Sequence, residues 1–347
     1  MPIVKITVKS ALLFGAFLVL GIVTWAQKPI DVKRFFEDDS VVTVAIETDL
    51  GNILNGRLKD GTQGAKITMP TTDGAVVTED ILLSLRGNMR RSICTVPPIK
   101  LLFKQSTAPM LSPLKNLKLV NNCKGGLQND QLLLKEYLVY KMYNLLTPMS
   151  FRVRLLHLTY SDSKGKKKPF TNYAFLIEDV DAMAKRSDCI ETNRRMVPTE
   201  ATQRAQTTLL MLFEYMIGNT DFSVPANHNV RLIIPKADTM QVPYTVPYDF
   251  DYSGLVNAPY AIPDPMLPIQ TVTERLYRGF ARSTEELTEA TQLFKDKKEQ
   301  ILALINDCAP LEAYTKREVK NYLQEFFELI ESEKRIASTF IYGARRE

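Results

Sequence analysis

GNTDFSVPANHNVRLIIP at residues 218–235, with VPYDFDYSG at residues 246–254 close behind it, is the stretch that decides how this chain is read. Residues 199–218 ahead of it predict a long helix. Its apolar face carries Leu209, Leu210, Leu212, Phe213, Met216 and Ile217, and Gly218 is its natural stop. Two strands follow, over 230–234 and 242–248, spaced for a hairpin. Asp221 therefore sits on the loop after the helix, Asn229 opens the first strand, and the second strand delivers Asp249 and Asp251. Folding of the hairpin predicts that Asp249 returns to the side of Asn229. Phosphoryl transfer asks for such a set: a carboxylate facing the acceptor, and acid and amide oxygens that hold magnesium against phosphates. The plainer reading is that Asp and Asn are common loop residues whose side chains bond local backbone. A lone Asp-Phe-Asp is weak; the ordered combination after a long helix is more specific. Asn227 is nearer to Asp221 in sequence than Asn229 and is an alternative ligand, Asp251 is a second ligand or a competitor of Asp249, and His228 is a neighbour of both sets.

Working outward, residues 41–104 read as short strands (VVTVAIET, AKITM, ILLSLRGN, IKLLF) punctuated by Asp, Gly, Asn and Pro. A further strand covers 117–120. From Asp130, placed as an N-cap, to Leu146 the apolar spacing becomes helical and Pro148 follows the end. Strands over 152–161 and 173–178 flank a basic hairpin loop, SDSKGKKKP, which is a solvated loop on its simplest reading. Beyond a proline-rich crossing at 259–268 the chain reads as helical, with capping boxes at Ser283-x-x-Glu286 and Thr315-x-x-Glu318. The fold class is α+β in two packed lobes: a β-rich part over 27–128, and a mixed, then helical, part over 129–347.

The first 26 residues have the layout of a signal peptide. Lys5 and Lys9 precede an apolar run from Ala11 to Trp25, and Thr24 and Ala26 offer small residues for cleavage after Ala26. The run is short for a bilayer span. A periplasmic or secreted location is expected, with no stable membrane span after cleavage. The chain's formal charge of +5 includes those two lysines, so the mature protein carries 5 − 2 = +3, too little to argue for nucleic acid. At 45% hydrophobic and 24% charged over 347 residues, a sizeable core is affordable and disorder is not the default. In an oxidising compartment Cys94 and Cys123, which flank one strand-rich stretch, are the favoured disulfide; the alternative is that all four cysteines are free thiols.

The ordered blocks resemble the spore-coat CotH kinase family, atypical relatives of protein kinases, over much of residues 81–255. Leu85-Arg86-Gly87-Asn88 resembles its early Arg-Gly-Asn strand end, and residues 97–104 (PPIKLLFK) its basic strand. Leu117 to Asn121 with the helix after it resembles the next strand and helix, and residues 173–181 (YAFLIEDVD) the segment joining the lobes. Gly218-Asn219-Thr220-Asp221, His228-Asn229 and Tyr248-Asp249-Phe250-Asp251 resemble the catalytic and metal motifs. The resemblance implies a two-lobed atypical kinase-like fold and a phosphotransferase using ATP or another nucleotide with Mg²⁺ or Mn²⁺ on a protein or glycan acceptor of the envelope. It assigns Asp221 to the acceptor, and Asn229, Asp249 and Asp251 to the metal. Lys100, Lys104 or Lys118 would meet the nucleotide phosphates, Glu136 would pair with that lysine, and Glu178 would lie at the nucleotide's hinge. Arg86, Arg90 and Arg91 are further candidates for gripping phosphate. Three departures count against turnover: there is no G-x-G-x-x-G loop, there is no His-Arg-Asp, and Asn229 follows Asp221 by eight residues rather than about five. The competing expectation is a kinase-shaped binding or structural protein without activity. A calcium-stabilised adhesion module is weaker, because no Asp-x-Asp-x-Asp-Gly loop is present.

Overall fold

Alternation in VTVAIET sets the first strand, β1 (Val42–Thr48). Val42, Val44, Ile46 and Thr48 are buried, while Thr43 and Glu47 face water. The computed structural model describes residues 28–55, 58, 61–87, 89–103 and 110–345. The signal-peptide reading, Asn88 and Lys104 lie outside them. A short helix, α1 (Val32–Glu37), precedes β1, and another, α2 (Leu50–Leu54), follows it. β2 (Thr62–Pro70) and β3 (Val76–Leu85) form a hairpin, and the small helix α3 (Met89–Ile93) leads to β4 (Ile99–Leu102) and β5 (Asn116–Asn121). The long helix α4 (Leu127–Leu146) then separates β5 from β6 (Val153–Asp162) and β7 (Phe170–Ile177).

These seven strands close into a barrel in the order β1-β2-β3-β4-β5-β7-β6, sealed by the parallel pairing of β1 with β6. The expected boundary at 128/129 therefore falls inside the barrel, because β6 and β7 complete it. The reason lies in their composition. Leu156, Leu158, Ala174 and Leu176 fill the barrel, whereas their alternating neighbours Val153, Leu155, Phe175 and Ile177 face a second core built on α4. Strands buried on both faces read as continuous apolar runs and belong to whatever lies on either side. The barrel itself is not the open sheet of a kinase small lobe. The architecture is α+β.

The second core is helical. After α5 (Val180–Lys185) and β8 (Cys189–Glu191) come α6 (Arg204–Ile217), β9 (Val230–Pro235) and β10 (Tyr244–Pro247), and a small sheet runs β10-β9-β8. Helices α7 (Thr284–Asp307), α8 (Ala313–Ile330) and α9 (Glu333–Ile336) finish the chain, with α7 lying on both α4 and α6. Ser283 caps α7 through the expected capping box. Two other expected caps moved. α4 begins at Leu127 after Gly126, and the Asp130 carboxylate instead accepts from Asn122 Nδ2 (2.7 Å) and the Tyr173 amide (3.0 Å), tying the helix to β7. α8 starts at Ala313, because Gln131 accepts from the Glu312 amide (2.8 Å) and fixes the entry before Thr315 is reached. Cys94 and Cys123 form the expected disulfide, while Cys189 and Cys308 are free thiols. Among the described residues no helix is long and apolar enough to cross a membrane.

Candidate functional site

The end of α6 fixes the first acid. Gly218 adopts the left-handed conformation (φ 66°), and a β-carbon there would run into the Tyr322 hydroxyl, so glycine is required on both counts. The turn then hangs Asn219 on Glu214: the Asn219 amide donates to the Glu214 carbonyl (2.8 Å) and its Nδ2 to the buried Glu214 carboxyl (2.9 Å). Burial pushes that carboxyl up to about 8, and the charge of Asp221 adds to the effect. Asn219 Oδ1 in turn accepts from the Asp221 amide (3.0 Å). Asp221 is thus aimed by a chain of bonds rooted in the helix.

The loop after it closes where Ser223 and His228 pair backbone to backbone. Two asparagines on it, Asn227 (φ 50°) and Asn229 (φ 52°), occupy left-handed conformations, which asparagine tolerates better than most residues. They do different things. Asn227 Nδ2 donates to the Arg194 carbonyl (3.0 Å), away from the acids. Asn229 Nδ2 donates both to the Asp221 carbonyl (2.7 Å) and to Asp221 Oδ2 (3.0 Å). His228 Nε2 lies 2.8 Å from Asp221 Oδ1. Of the two amides left open by the sequence, Asn229 is the one in the cluster, and its Oδ1 accepts no hydrogen bond among the described residues.

Strand register brings in the next pair. Pro247 faces Val230, so the Tyr248 amide donates to the Asn229 carbonyl (2.9 Å) and Asp249 emerges just past it. Asp249 is left-handed (φ 67°) and its amide donates to the Tyr140 hydroxyl on α4 (2.8 Å). Its carboxylate makes no hydrogen bond or ion pair among the described residues. Phe250 is buried against the rings of Tyr140 and Phe213, which turns Asp251 the other way. Asp251 accepts from Arg90 Nη1 (3.3 Å) and the Tyr260 hydroxyl (2.9 Å). Burial, then the charge of Asp249, pushes it up to about 6, with Arg90 pulling it down. It is a sealed carboxylate with fixed partners rather than a free ligand.

Across from Asp249 stand cations of the barrel's outer face. Ser84 pairs with Lys100 and Lys100 with Lys118, making one cross-strand row over β3, β4 and β5. Lys118 Nζ lies 4.1 Å from the centroid of the Tyr248 ring. Burial lowers its pKa to about 8, the nearby Arg86 lowers it further, and Asp249 opposes them. Lys118 is therefore the predicted lysine that reaches the acids, with Lys100 beside it.

Glu136 does not pair with a lysine. Its carboxylate lies 3.9 Å from Arg90 Nη1, the same nitrogen that meets Asp251, and Arg90 Nη2 donates to the Asn121 carbonyl (3.2 Å). Burial holds the Glu136 carboxyl well above the ordinary range, Asp251 adds to this and Arg90 opposes it. Glu178 is also spent: Arg186 grips both its oxygens (3.0 and 2.8 Å) and the Arg152 amide donates to it (3.2 Å). Its side chain belongs to a structural fork.

The clear omissions of the sequence reading are Tyr140, which seats Asp249, and Tyr260, which seats Asp251. Tyr140 carried a signal, a hydroxyl on an otherwise apolar helix face that needs a partner when buried. Beside Asp221 opens a cavity of about 270 Å³ lined by Thr220, Asp221, His228, Tyr252, Asp264 and Arg278, among others. Among the described residues no group of three or more His, Cys, Asp and Glu side chains is placed to hold a metal. No protein-family model matches the chain, and no curated protein does.

Proposed function

We propose that this protein is an exported, CotH-like phosphotransferase that moves a phosphoryl group from a nucleotide to a hydroxyl of a protein or glycan in the periplasm or outside the cell. One observation supports the reading most: Asn229 holds Asp221 through backbone and carboxylate together, while the hairpin brings Asp249, whose carboxylate has no partner among the described residues, near enough to Lys118 for its charge to act on that lysine. Element order adds support, since a strand with a lysine, a helix with a buried glutamate and two further strands recur here as β5, α4, β6 and β7. The closed barrel is a departure from the kinase pattern on the other side.

The donor set suits magnesium better than a tighter metal. Mg²⁺ is typically held by one or two carboxylates with phosphate oxygens and waters, not by an all-protein cage. Asp249 Oδ and Asn229 Oδ1 would be the protein ligands. A magnesium ion held by these two residues would supply charge neutralisation to the donor's phosphates. Asp221, fixed by Asn229 and His228, would accept the proton of an acceptor hydroxyl entering from the adjoining cavity. Lys118 would face the donor's phosphates.

The test uses the chain from Gln27. ATP should raise its melting temperature only with Mg²⁺ or Mn²⁺; Asp249→Ala should abolish that shift, and Asp221→Ala should keep it while losing radiolabel transfer to an envelope extract. A second reading, an inactive kinase-shaped binding protein, is favoured by Glu136 being occupied by Arg90. Absence of any nucleotide shift in the wild type selects it.

A further inference from the structure

Arg86 is an anomaly on the cleft wall. Its backbone is tied down, the amide donating to the Pro98 carbonyl (2.9 Å) just beyond the end of β3. Its guanidinium is not: Nε and Nη2 are both buried and have no hydrogen-bond acceptor among the described residues. A buried, permanently charged fork without acceptors is costly, and an acceptor arriving from outside is one way to offset that cost. The neighbours do not supply it. Lys118 and Lys100 are cations, and Arg231 is already joined to Glu191 (3.4 Å). Glu136 is near enough to feel Arg86, but its Oε2 faces Arg90 and its buried Oε1 makes no hydrogen bond to Arg86 or to any other group among the described residues. Asp249 is the acid whose charge acts on Lys118, and as a metal ligand it would be taken by the cation.

We propose that Arg86, with Lys118 beside it, is the seat for a phosphate chain, and that it replaces the missing glycine loop as the grip on the donor. The orphaned Nε–H and Nη2–H form the planar fork that matches two oxygens of one phosphate. Lys118, on its short leash over the Tyr248 ring, adds a point charge. This deepens the phosphotransferase reading and rests on it for the anion being a nucleotide's. The seat itself calls only for a polyphosphate, so an inorganic chain and a nucleotide share its chemistry.

Isothermal titration of the purified chain with tripolyphosphate in EDTA tests the seat apart from the metal. Wild type should bind. Arg86→Gln should weaken binding at least tenfold, and Arg86→Lys should recover part of it, keeping the charge but losing the fork. Asp249→Asn should not weaken it. The proposal is overturned if wild type does not bind, or if Arg86→Gln binds as wild type does. A lowered melting temperature in Arg86→Gln with unchanged affinity also overturns it, because Arg86 then serves Glu136. Repeating the titration with ATP and Mg²⁺ separates the two sources: equal affinity for both ligands means the base contributes nothing, and the seat stands. Tripolyphosphate binding through Arg86 without any transfer from ATP keeps the seat and discards the enzyme. Transfer by Arg86→Gln at the wild-type KM does the reverse.

Discussion

Two clusters of acids lie on either side of Phe250 and use the same residue types for different ends. On one side His228 and Asn229 hold the Asp221 carboxylate, that of Asp249 has no partner among the described residues, and Asp221 and His228 line a cavity. On the other, Arg90, Glu136, Asp251 and Tyr260 interlock under cover around a void of about 20 Å³, room for one water. The first has groups to spare for a ligand. The second has turned most of its groups on one another, leaving the buried Arg90 Nε and Glu136 Oε1 without a hydrogen-bond partner among the described residues. Counting acidic side chains in a sequence cannot separate the two; counting their partners does.

The comparison is most sharply tested at Arg90. Arg90→Met removes the one cation shared by two buried acids, and breaking such a pair costs about 3–5 kcal/mol. The midpoint of chemical denaturation should fall accordingly. A loss below about 1 kcal/mol would mean that the sealed cluster is not sealed.

A middle effect belongs to Glu214, the buried root under Asp221. Its folded carboxyl titrates near 8 against an ordinary 4.5, so the fold holds a proton that the unfolded chain releases. Stability from this group is fullest below pH 4.5 and declines as pH rises towards 8, by up to about 5 kcal/mol at about 1.36 kcal/mol per unit. Glu214→Gln should remove that slope from a plot of unfolding free energy against pH. An unchanged slope places the titration elsewhere.

The smallest effect is expected on the open side. His228 has a side chain 55% exposed, and His228→Gln should shift stability by less than about 0.5 kcal/mol by denaturant melt. If it costs as much as Arg90→Met, the two clusters are alike and the contrast fails.

Much of this was legible beforehand for identifiable reasons. The α6 stop at Gly218 and the Ser283 box are local devices, read from a few adjacent residues. The return of Asp249 to Asn229 followed from hairpin geometry. What escaped was set by partners distant in the chain. Asp251 looked equivalent to Asp249 until Arg90 and Tyr260 arrived from 161 and 9 residues away. Glu178 and Glu136 looked available because their arginines, Arg186 and Arg90, answer to no spacing rule. The barrel was hidden for the same cause: alternation announces a strand, and nothing in a strand announces closure.

That closure also dictates an order of events during synthesis. β1 leaves the ribosome among the first elements, yet one of its two edges finds its mate only when β6 has been made, Val42 meeting Leu156. Until then the edge stays bare, with the N–H and C=O groups of every second residue exposed to any passing strand. A chain cut after β5 should be prone to aggregate, and complete chains should gain the barrel late, since contacts of such long range come slowly.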